Sequence, residues 1–190
     1  MGFLKKILGG TSKSSEKISV ASIPISVLVG FFKFFATAPQ IRGRTYNVDD
    51  KNELMEIMLF YLFGVDYAVF GMLGNSSQRD AVHRELAVQF IQNTQSAFPN
   101  LKESEIATLI DERFSFYSTQ YALMMGPDGN SAQMAIALWT NIPALREDIL
   151  RAMEICKHFS EIVTAVPDFL KHGIPRSLLE AATSIVENQC

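Results

Sequence analysis

Asp66 is the only charged residue in the run IMLFYLFGVDYAVFGML, residues 57–73. A carboxylate buried without a partner costs several kcal/mol, so a partner must be supplied by a neighbouring element. The run reads as a helix, followed by a turn near Asn75 and a second helical run. If the two form an antiparallel hairpin, residues whose numbers sum to about 150 face each other, which sets His83 and Arg84 opposite Asp66. The plainer expectation is an ion pair that fixes helix register. The sharper one is a polar pocket at Asp66, His83, Arg84 and Tyr117, able to hold a small ligand or to work as an acid/base pair.

The other candidates for chemistry are sparse. His83 reads as a boundary histidine. His158 is expected on a solvated face between Glu154 and Glu161, and His172 at a helix end beside Gly173. A di-iron bundle requires paired Glu-x-x-His motifs, and the nearest approach, Asp80-x-x-His83, stands alone. Three scattered histidines and no cysteine pair give no zinc pattern, so no metal and no cofactor are expected. Tyr117 and Tyr121, one turn apart, read as core tyrosines. No nucleophile-elbow, Walker, dinucleotide-binding or zinc-protease motif occurs. No residue stands out as catalytic, and the sequence leans away from an enzyme.

Positioning these residues falls to helices. At 190 residues and 48% apolar content the chain has the size of one globular domain. Helical periodicity recurs over about Asp50–Leu73, Gln78–Phe98 and Leu101–Met125, the last with Asn100 and Glu103 as a capping box. Its apolar stripe is Ile106, Ile110, Phe114, Tyr117 and Tyr121. A fourth helix starts near Ser131, and Pro143 kinks it or opens a new one, with a stripe of Leu145, Ile149, Met153, Cys156 and Val163. Pro167, Gly173 and Pro175 are expected to divide off a last helix, about Arg176–Glu187, with Leu178, Ala182, Ile185 and Val186 inward. The fold class is all-α: a single bundle of five to seven mostly antiparallel helices (46–190) behind an N-terminal amphipathic and apolar arm (1–45).

The arm is the clearest global feature. Residues 1–48 carry seven basic residues and one acidic, a net +6, whereas the remainder is −9, within an overall −3. In MGFLKKILGG, Phe3, Leu4, Ile7 and Leu8 share one helical side while Lys5 and Lys6 lie on the other. Such a helix is too short to be stable in water and would form on a surface that accepts its apolar face. A second contact is expected from Phe31, Phe32, Lys33, Phe34 and Phe35, in a helix over about Ile23–Ala38 whose lysine could snorkel. The acidic body argues against nucleic acid. Two cysteines, Cys156 and Cys190, give no disulfide framework, so a cytoplasmic setting is expected, peripheral at the inner membrane face where the arm docks. The leading expectation is therefore a non-enzymatic, adaptor-like protein whose arm docks on an anionic membrane surface or on a protein partner. The alternatives are a ligand-binding or catalytic bundle around Asp66, and a homo-oligomer in which the basic arm of one chain lies on the acidic body of another.

Overall fold

A computed structural model of the chain describes residues 16–19, 23, 27, 30, 31, 50–130, 132–177 and 179–180. The described part is almost wholly helical, so the all-α class holds. The arm residues Phe3, Leu4, Lys5, Lys6, Ile7 and Leu8 lie outside the described residues. So do Phe32, Lys33, Phe34 and Phe35, and, at the other end, Leu178, Ala182, Ile185 and Val186.

Helix α1 runs Lys51–Leu73. Asp50 caps it: its Oδ1 accepts from the backbone N–H of Asn52 at 3.0 Å and of Glu53 at 3.2 Å. Gly74 ends it at φ 55, a left-handed conformation suited to glycine. Helix α2, Ser77–Ala97, starts on Ser76, whose Oγ accepts from Arg79 N–H, and stops ahead of Pro99. Helix α3, Glu103–Met125, is capped two residues later than the sequence suggested. Glu105, not Glu103, reaches back, accepting from the Lys102 backbone N–H at 2.7 Å.

Helix α4, Gln133–Asn141, stops before Pro143, and a 3-10 turn, Pro143–Arg146, opens with that proline. Helix α5, Ile149–His172, is capped by Asp148 and ends at Gly173, φ 85. It runs through Pro167, which was expected to divide it. The missing N–H costs the helix there, but Val166 and Phe169 on either side are buried and hold both halves on the core. A two-stranded antiparallel ribbon closes the fold, Lys17–Ile18 (β1) with Ile174–Pro175 (β2), Ile18 lying opposite Ile174.

Contacts fix the directions. Asp66 meets His83, and the ammonium of Lys51 bonds the Ala97 carbonyl, so α2 is antiparallel to α1. Glu56 meets Arg113, Phe63 meets Phe114 and Tyr67 meets Tyr121, so α3 is parallel to α1. Glu53 meets Arg151, and the Phe60 and Phe159 rings stack with centroids 4.4 Å apart, so α5 is also parallel to α1. Helix α1 therefore lies at the centre, with its most extensive contact on α5. By length and apolar content it could cross a membrane, but its sides are largely buried by the other helices, as a core helix's would be.

The α5 stripe differs from the expectation. Two sets of residues have helical spacing there, and Ile155, Phe159, Ile162 and Val166 face the core. They present the bulkier continuous surface to α1, and Phe159 fills the space that Gly64 leaves, where an added Cβ would lie 2.9 Å from its ring. Leu145 is buried as expected, but Ile149 and Met153 are exposed. His158, expected on a solvated face, is buried with its ring edge-on to Tyr61. Phe31 is also in the core, 1% exposed and edge-on to Phe169 at 5.5 Å, so it cannot serve as a membrane contact in this arrangement.

Candidate functional site

Three carboxylates on α1 reach three different helices. Asp66 takes α2: His83 Nδ1–H donates to its Oδ1 at 2.6 Å, and Arg79 Nη2 approaches Oδ2 at 3.4 Å. Glu56 takes α3: the Arg113 guanidinium grips both carboxylate oxygens, Nε to Oε2 at 2.7 Å and Nη2 to Oε1 at 2.6 Å. Glu53 takes α5 through Arg151. All three carboxylates are buried or nearly so, and each is matched by at least one cation, as burial demands.

The hydrogen bond that His83 donates to Asp66 is the main cause that raises the His83 pKa; burial works against it. The Glu56 bond likewise raises that of Arg113, which stays charged. Burial pushes the Tyr117 hydroxyl upward and the Cys156 thiol to about 11, which makes that thiol a poor nucleophile at neutral pH.

The sequence-based site is brought together only in part. His83 is Asp66's partner. Arg84 is not: it is exposed on the far side of α2, one residue's helical rotation from His83. Arg79 takes its place, one turn before His83 on the same face, and also lies 5.3 Å over the Phe70 ring. Tyr117 stands apart. It packs on Phe60 and Phe63, and its hydroxyl accepts from Asn141 Nδ2 at 3.1 Å. The crevice between Asp66, His83, Ile110 and Phe114 is too narrow to admit a water molecule. The inner side of the dyad is packed, while the His83 side chain is 36% exposed on its outer side.

Sequence reading missed Arg79, Glu53, Glu56, Arg113 and Arg151. One signal was legible: Arg113 lies three residues beyond Ile110 and four before Tyr117, on the same buried stripe. Glu53 was masked by its place in the first turn of α1, where the helix dipole already accounts for an acidic residue.

Two openings flank the first turns of α1. An apolar groove of about 280 Å³ is lined by Leu54, Met55, Met58, Phe90, Ala97 and Phe98. A second cleft, about 290 Å³, lies between Asp50, Glu53 and Glu56 and the segment Asn141–Ala144. No group of three or more histidine, cysteine or acidic residues able to hold a metal occurs among the described residues. No protein-family model, curated protein or solved structure matches the chain.

Proposed function

We propose that the chain is a non-enzymatic helical interaction protein that attaches through its basic N-terminal segment to an anionic membrane surface and presents its bundle to a protein partner. The observation that carries the reading is the fastening of that segment to the body. Ile18 pairs with Ile174, the Arg176 backbone N–H bonds the Glu16 carbonyl at 3.0 Å, and the Arg176 side chain pairs with Glu16. Residues 1–15, with Phe3, Leu4, Ile7 and Leu8 set against Lys5, Lys6 and Lys13, therefore lead into a fixed point of a rigid bundle. Membrane attachment at that point would orient the whole body. Each basic residue near an anionic surface contributes about 1 kcal/mol. The methionine-lined groove beside α1 supports the protein-partner part, since methionine adapts to an incoming apolar helix face.

The test is co-sedimentation of the full chain with phosphatidylcholine vesicles, with and without phosphatidylserine, at low and high salt. Pelleting that needs phosphatidylserine, falls with salt and weakens more than about tenfold in Lys5→Glu/Lys6→Glu is expected. Failure of the wild type to pellet under any condition would sink the membrane reading and leave the basic segment to a protein surface, whether a partner's or a second copy's.

A further inference from the structure

The end of the bundle where residues 1–15 join it exposes apolar side chains to solvent. Because α3 and α5 run parallel to α1, the last turns of all three lie at this end, together with the ribbon. Tyr67, Phe70 and Met72 of α1 and Leu123 and Met125 of α3 are exposed there, Leu123 and Met125 by 57% and 66%. The Tyr67 and Tyr121 rings, 4.6 Å apart, join the two helices at the foot of the patch. The sequence around it is uncharged over residues 67–78 and again over 114–127.

We infer that this tip is a second membrane contact, entering the headgroup region of the same anionic lipid surface that residues 1–15 seek. The inference rests on the membrane reading above. Charge and connection choose lipid over another occupant. Residues 1–15 hold three lysines and no acidic residue, and they join the described structure at Glu16, on the ribbon at this end. Lys17, Arg79, Lys171 and Arg176 stand beside it and balance Glu16, Asp80, Asp128 and Asp168. The opposite end holds Asp50, Glu53, Glu56, Glu103, Glu105, Glu147 and Asp148 against Lys51, Lys102, Arg146 and Arg151, an acidic excess that the tip lacks, so an anionic surface favours the tip. Tyrosine beside exposed phenylalanine, leucine and methionine is the composition of an interfacial contact. A single short amphipathic helix binds weakly, and stable attachment takes two signals. The second cannot come from Phe31, which is in the core.

The experiment uses full-length protein and the phosphatidylserine vesicles. The variant Met72→Gln/Leu123→Gln/Met125→Gln removes apolar surface from exposed positions and leaves Phe70 beneath Arg79. It is expected to bind about tenfold weaker or worse, with an unchanged salt dependence and an unchanged helical spectrum. Separately, Leu123→Trp is expected to be quenched by brominated lipid beyond the quenching of the wild type's own Trp139. This second reading holds even if the triple variant folds poorly. If Lys5→Glu/Lys6→Glu abolishes binding while the triple variant binds as wild type and Leu123→Trp shows no added quenching, the tip proposal is wrong and the membrane reading stands. A lower solution mass in the triple variant, with vesicle binding intact, would make the tip an interface between copies and overturn the proposal. No binding by the wild type would remove both readings together.

Discussion

At the scale of single residues, the histidine–carboxylate pair between α1 and α2 is best understood as a lock. His83 is held charged to higher pH than the ordinary 6.5 by its bond to Asp66. A value raised in the folded state means a contribution that is complete below the unfolded value and fades as pH rises through the folded one. Replacing Asp66 by Asn is expected to destabilise by about 1–3 kcal/mol, by leaving Arg79 and His83 short of their acceptor. The cost should be larger at about pH 6 than at about pH 9. Urea unfolding of both proteins at the two pH values measures it; equal costs would show that the imidazolium contributes nothing.

At the scale of elements, α1 is joined to its neighbours by packing and by paired charge, and the two can be separated. Arg113→Met strands the Glu56 carboxylate in the core and is expected to cost about 3 kcal/mol. Glu56→Leu/Arg113→Met removes both charges and should recover most of that loss, because a well-packed apolar pair replaces a desolvated ionic one. A thermodynamic cycle by chemical denaturation decides; a double variant as unstable as Arg113→Met would mean that the pair itself, not the avoidance of a stranded charge, is what α1 needs. The α1–α5 seam depends on shape instead. Gly64→Ala would press a methyl group into the Phe159 ring at 2.9 Å, and a destabilisation of about 1–3 kcal/mol is expected. Pairing it with Phe159→Leu should return part of the loss in the same assay.

At the scale of the whole molecule, one apolar helix is enclosed by the others, and the two ends differ in character. The enclosure predicts a gradient of local stability. Amides of α1 from Leu59 to Val69 should exchange with deuterium most slowly, through global unfolding alone, while α4 and the Pro143–Arg146 turn exchange earlier. Peptide-resolved hydrogen exchange tests this. If α1 exchanges as fast as α4, the central helix is not the most protected part of the fold, and its resemblance to a membrane span in length and composition would gain weight.

The sequence by itself determined the all-α class, the extents of α1, α2 and α3 to within a few residues, and that Asp66 would meet α2 at His83 or Arg84. Those follow from local rules: apolar spacing at a helical period and the turn near Asn75. An antiparallel hairpin with a short turn also fixes its own register, so residues near 66 and 83 had to meet. What only the tertiary structure decided involves elements far apart in the chain. Which of two apolar stripes on α5 turns inward, and hence that His158 is buried while Ile149 and Met153 are not, depends on the match of Phe159 to Gly64. The reach of Arg113 to Glu56 and of Arg151 to Glu53 depends on the parallel setting of α3 and α5 beside α1. The burial of Phe31 and the gathering of Phe70, Leu123 and Met125 at the ribbon end follow from that same setting. Spacing within a helix names a face; only the packing of whole helices says what the face meets.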